Sequence, residues 1–120
     1  MTGSATLHGL AEFQDEAVKA LGATIVRVAE HIEAQPEHRR EIALKSGVML
    51  LQAPTGAGKT LMLGRTIEGM VGKLPRKCVW FWFAPYSGLV TQTQESLAEQ
   101  CSRIRLRDLT ADRSSQSVRD

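Results

Sequence analysis

Over residues 10–34 the apolar positions Leu10, Phe13, Ala17, Leu21, Ile25, Val28, Ala29 and Ile32 recur at steps of three and four, with Glu, Lys and Arg between them. That spacing lays them on one stripe of a 3.6-residue helix, so the segment predicts an amphipathic helix, with Gly22 as its point of interruption if there is one. Pro36 disfavours helix at the residue before it and suits the start of a short second helix through Ile42 and Leu44, which Ser46-Gly47 ends. A third helix is predicted over residues 59–71, where Leu61, Met62, Leu63, Ile67, Met70 and Val71 keep helical spacing and Gly72 and Pro75 supply the stop. A fourth is predicted over residues 88–101 from Leu89, Val90, Leu97 and Cys101 set among Thr, Gln and Glu.

Between the helices the pattern changes. Val48-Met49-Leu50-Leu51 and Cys78-Val79-Trp80-Phe81-Trp82-Phe83-Ala84 are short continuous apolar runs bounded by turn residues, the pattern of strands buried on both faces of a parallel sheet. Arg103-Ile104-Arg105-Leu106-Arg107 alternates strictly, which predicts a strand with one apolar face. Strand, loop, helix, strand is a βαβ unit, and the expected fold class is therefore α/β, with parallel strands flanked by helices and an N-terminal helix in front. The chain divides into a helical segment at 1–46, an α/β segment at 47–109 and a polar tail at 110–120 too poor in apolar residues to add to a core.

Composition changes this picture little. A chain of 120 residues with 42% hydrophobic residues holds one domain with one core. Its 15 basic and 13 acidic residues leave a net charge of +2, which neither argues for nor excludes a nucleic-acid partner. The N-terminus lacks a secretory pattern and no stretch approaches the roughly 18 apolar residues of a membrane span, so a cytoplasmic protein with no membrane partner is expected. Cys78 and Cys101 read as reduced, mostly buried thiols. His8, His31 and His38 lack neighbours at metal-ligand spacing and suit surface or capping roles.

The candidate chemistry lies in Ala53-Pro54-Thr55-Gly56-Ala57-Gly58-Lys59-Thr60. A strand ending near Leu51 followed by a helix starting near Lys59 presents unpaired backbone N–H groups where an anion can sit. Gly56 and Gly58 let the main chain wrap a phosphate without Cβ interference. Pro54, Thr55, Gly56, Ala57, Gly58, Lys59, Thr60 and Leu61 are the expected ATP-binding residues. Lys59 would reach the β- and γ-phosphates, the one catalytic contribution expected here, and the Thr60 hydroxyl would bind Mg²⁺. The general phosphate-loop pattern has Gly where this chain has Ala53, and the bland alternative is a Gly-Lys-Thr turn before an ordinary helix.

The A-x-T-G-x-G-K-T form of this loop resembles that of superfamily 2 helicases, and two flanking stretches strengthen the likeness. Phe13-Gln14-Asp15-Glu16-Ala17-Val18 is similar to the Phe-Gln-x-x-Ala-Val segment whose glutamine recognises adenine in that family. A primary amide at Gln14 can donate to N7 and accept from the N6 amine at once. Ala84-Pro85-Tyr86-Ser87-Gly88-Leu89-Val90-Thr91-Gln92 looks like the family's motif Ia, which touches the nucleic-acid backbone. Ser87, Gly88 and Gln92 are the contacts this implies, with Leu89 and Val90 in the core. The ordinary alternatives are an exposed helix residue at Gln14 and a plain strand-to-helix turn at 85–88.

The resemblance covers residues 10 to about 101 and implies the first part of a RecA-like motor domain of the DEAD/DEAH type, similar above all to the helicase subunit of type III restriction enzymes. It implies ATP and Mg²⁺ as cofactors and nucleic acid as partner, DNA ahead of RNA, within a restriction-modification assembly. The family also needs an Asp-Glu pair for Mg²⁺ and water activation and arginines from a second domain, and no such acidic pair follows an apolar strand here. The expectation is thus a catalytically incomplete N-terminal fragment of an ATP-dependent helicase or translocase. The competing readings are a non-motor nucleotide-binding or regulatory fragment and, more remotely, a small-molecule kinase. Trp80 and Trp82 are expected in the core, and Arg103, Arg105 and Arg107 on a solvated edge-strand face.

Overall fold

The structure, a computed structural model, describes residues 11–54 and 58–109. Its elements are α1 (Glu12–Ala34), a 3-10 turn (Pro36–His38), α2 (Arg39–Ser46), α3 (Lys59–Gly69) and α4 (Ser87–Gln100). Each predicted helix is present within a few residues of its expected ends, and α1 runs unbroken through Gly22.

Local sequence accounts for the helix boundaries. Ala11 precedes α1 and has no side-chain acceptor, so only the return half of a capping box is made: the Ala11 N–H donates to Gln14 Oε1 at 3.0 Å. Glu12 and Asp15 place negative charge on the first turn, and Asp15 pairs with Lys19 at 2.9 Å. Pro36 opens the 3-10 turn, and Gly47 closes α2 with its N–H donating to the Ala43 carbonyl at 2.9 Å. Beyond α3, Gly72 takes φ +77°, a left-handed turn that a side chain would oppose.

In the packing, α3 touches both α1 and α4, while α2 lies against α1. Glycines set two of these approaches. Gly22 is the buried residue of α1, and a Cβ there would stand 2.9 Å from Met70 Cε. A Cβ on Gly64 would stand 2.5 Å from Leu97 Cδ2 and 2.8 Å from Cys101 Sγ. The buried apolar side chains among the described residues are Ile42, Met62, Met70, Leu97 and Cys101, a small core centred on α3. Two ion pairs fasten the periphery: Arg76 holds both oxygens of Glu33 at 2.8 and 3.2 Å, and Arg65 meets Glu68 at 3.1 Å. The other Glu68 oxygen accepts the Arg103 N–H at 3.1 Å and ties the chain after α4 back to α3.

The expected α/β, RecA-like fold with parallel strands is not what forms. Among the described residues there is no strand, and the segments 48–51, 78–84 and 103–107 lie outside any ladder. Apolar runs pair only if neighbouring strands supply the complementary N–H and C=O groups and a second layer covers each face, and the described helices supply neither. Val48, Leu50, Val79, Phe81 and Phe83 therefore face solvent instead of a core, and Cys78, expected buried, is exposed. Trp80, expected in the core, is 41% exposed. The 103–107 alternation survives outside any ladder: Arg103, Arg105 and Arg107 are exposed while Ile104 and Leu106 are partly covered. Among the described residues no helix is long and apolar enough to cross a membrane.

Candidate functional site: the N-terminus of α3

Gly58 is the residue before α3, and it takes φ +81° and ψ +38°, the left-handed region that only glycine enters without cost. Its carbonyl accepts the Met62 N–H at 2.9 Å, so the first turn of α3 closes directly on it. Among the described residues no side chain caps this end. The opening N–H groups of α3 thus lack intrahelical partners, and the helix field there favours an anion. Met62, 1% exposed, anchors this turn in the core and holds its direction fixed.

The second feature is the approach of Gln14. A Cβ on Gly58 would lie 2.5 Å from Gln14 Nε2, so the first turn of α1 and the start of α3 meet through this amide. Gln14 Oε1 is engaged by the Ala11 N–H, which orients Nε2 toward Gly58. Glycine is required at 58 for two independent reasons, backbone conformation and the space taken by the amide.

Of the other sequence-predicted residues, Lys59 is exposed at the first position of α3, and Thr60 and Leu61 are partly covered beside it. Pro54 is exposed, while Thr55, Gly56 and Ala57 lie outside the described residues. Ser87, Gly88 and Gln92 are exposed on the first turns of α4, with the Ser87 carbonyl accepting from Thr91 Oγ1 at 3.3 Å. Leu89 and Val90 are partly covered. Phe13 is 56% exposed and belongs to a shallow hollow with Ala11, Glu12 and Glu16. Gln14 does not line that hollow, and its two carboxylates oppose a phosphate, so it is a separate feature from the α3 terminus.

Sequence reading missed the cluster of Arg65, Glu68 and the Arg103 backbone. Its only local signal was the three-residue spacing of Arg65 and Glu68. Cys101 lies against this cluster, and burial first, then the charge of Glu68, push its thiol above the ordinary range, with Arg65 opposing. Among the described residues no group of three or more His, Cys, Asp or Glu gathers as a metal site. Thr60 could contribute one oxygen to a Mg²⁺ that arrives with a nucleotide's phosphates, an arrangement that fits its place beside Lys59.

Compared with protein-family models, with curated proteins and with solved structures, the chain finds no match in any of the three. The resemblance to a superfamily 2 helicase motor region is corrected accordingly. No family model carries it, and the sheet on which such a motor is built does not form among the described residues. The likeness rests on short motifs, and short motifs recur outside the fold that gives them their role.

Proposed function

We propose that the chain is a nucleotide-binding, non-motor P-loop segment that takes ATP with Mg²⁺ at the N-terminus of α3. In this reading Lys59 meets the β- and γ-phosphates, the backbone N–H groups opening α3 lie against them, and Thr60 gives its hydroxyl to Mg²⁺. Gln14 recognises the adenine edge. The observation that carries the reading is the meeting of Gln14 Nε2 with Gly58, which brings the predicted base-reading amide to the predicted phosphate loop from a distant part of the sequence. In the structure Gln14 Oε1 is held by the Ala11 N–H, so a two-point contact with adenine requires that hydrogen bond to open, at about 1 kcal/mol.

The test is calorimetric titration of the full chain with ATP and Mg²⁺, alongside tripolyphosphate and GTP. ATP should bind, Lys59→Ala should weaken ATP and tripolyphosphate alike by about tenfold or more, and Gln14→Ala should weaken ATP while leaving tripolyphosphate unchanged. No heat and no change in melting temperature at millimolar ATP would refute the proposal. A parallel titration with single-stranded DNA asks whether Ser87, Gly88 and Gln92 contact nucleic acid. Binding lost in Gln92→Ala and altered by ATP would replace the non-motor reading with a nucleic-acid-coupled one.

A further inference from the structure

The Gln14 carboxamide joins the start of α1 to the start of α3. Its Oε1 accepts the Ala11 N–H at 3.0 Å, and its Nε2 lies 2.5 Å from the position that a Cβ on Gly58 would take. Oε1 and Nε2 are the two ends of one flat group, so neither moves without the other. Gly58 does not give way: its carbonyl accepts the Met62 N–H at 2.9 Å, and Met62 is buried in the core. The amide thus spans two pieces of backbone, one at each of its polar ends. Adenine can take both ends only from a side that neither backbone occupies. The group must therefore turn, and turning it away from Gly58 carries Oε1 off the Ala11 N–H.

We propose that this contact is autoinhibitory: the Ala11 N–H competes with adenine for the Gln14 carboxamide, and ATP binding uncaps the first turn of α1. The inference rests on the reading of Gln14 as the adenine-recognising residue and adds to it how the site is regulated. The competition is confined to the base. Lys59 and the N–H groups opening α3 meet phosphates whichever way the amide points, so a ligand with phosphates and no base leaves the cap closed. Coupling of this kind is reciprocal: removing the cap strengthens ATP binding, and ATP loosens the cap by the same factor. An ordinary hydrogen bond contributes about 1 kcal/mol net, which sets that factor at about fivefold.

Ala11→Pro removes the competitor alone. Proline has no N–H to offer Gln14, and Ala11 already stands at φ −69° and ψ 159°, where a proline fits without strain. The Ala11 carbonyl, which accepts the Asp15 N–H at 2.9 Å, is kept. In calorimetric titration of the full chain with Mg²⁺ present, Ala11→Pro should bind ATP about fivefold more tightly than the native chain does. Tripolyphosphate should bind both equally, and the gain should vanish when Ala11→Pro is added to Gln14→Ala. A second measurement needs no variant and decides alone if Ala11→Pro loses its far-ultraviolet helix signal. By nuclear magnetic resonance, the Ala11 amide of the native chain should exchange with water faster when ATP saturates it and at an unchanged rate with tripolyphosphate. Equal or weaker ATP binding by folded Ala11→Pro overturns the inference while leaving the nucleotide reading in place, since the N–H then positions the amide instead of withholding it. So does a gain that persists without Gln14, a gain shared by tripolyphosphate, or an Ala11 exchange rate that ATP leaves unchanged. A native chain that binds no ATP overturns the nucleotide reading and this inference with it.

Discussion

Gly64 and Gly69 lie on the same helix, one turn and a half apart, and the structure assigns opposite signs to the same substitution at the two. An alanine at 64 would carry its Cβ to 2.5 Å from Leu97 Cδ2 and 2.8 Å from Cys101 Sγ, whereas an alanine at 69 would meet nothing within 4 Å. Leu97 is 3% exposed and Cys101 is fully buried, so neither has room to retreat. Replacing glycine by alanine in a helix contributes up to about 1 kcal/mol at either position. Overpacking at 64 costs about 1–3 kcal/mol, leaving a net loss of about 0–2 kcal/mol against a gain of up to about 1 kcal/mol at 69. At about 4 °C per kcal/mol for a chain of this size, the two melting temperatures should differ by about 4–12 °C, measured by circular dichroism or calorimetry. Adding Leu97→Ala or Cys101→Ala to Gly64→Ala should recover part of the loss, with a coupling of at least about 0.5 kcal/mol. If Gly64→Ala stabilises as much as Gly69→Ala, the close approach of α3 and α4 described above is wrong.

Three further outcomes follow from the same packing. Met62→Ala, at the most buried apolar position of α3, should cost about 2–5 kcal/mol in urea unfolding, a large share of the 5–15 kcal/mol that ordinary domains possess. Gly58→Ala should lose about 1–2 kcal/mol from its left-handed backbone alone and, on the proposed function, weaken ATP binding; adding Gln14→Ala should relieve the steric part but not the backbone part. Burial raises the Cys101 thiol in the folded chain, so its contribution to stability is intact below the ordinary cysteine range of about 8.5 and is lost as pH climbs through the raised folded value. Melting temperature should therefore fall more steeply above about pH 8.5 in the native chain than in Cys101→Ala.

The candidate site was partly legible. Gly58 and Lys59 announce a loop entering a helix, and α3 begins where that reading puts it. Gln14 was singled out on a motif, and the structure brings its amide to Gly58, a meeting that no spacing in the sequence encodes. Missed altogether was the Glu68 carboxylate, which reaches from α3 to the Arg103 backbone beyond α4. The resemblance drawn from these same stretches did not carry the fold, because each motif is a few residues long while a sheet is a property of the whole domain.

Helices were readable because their hydrogen bonds close within four residues and their apolar stripe needs only one neighbour to cover it; Leu21, Ile25 and Ile32, or Met62 and Met70, state both facts locally. Pro36, Gly47 and Gly72 mark the ends by backbone chemistry alone. Residues 48–51 and 78–84 show the other case. Alternation and apolar content establish that Val79, Phe81 and Phe83 share a face, but whether that face is a core, an interface or open surface depends on partners elsewhere in space. Pairing is non-local, so tertiary structure decided it, and it left those rings in solvent while it joined Gln14 to Gly58 and Gly64 to Leu97.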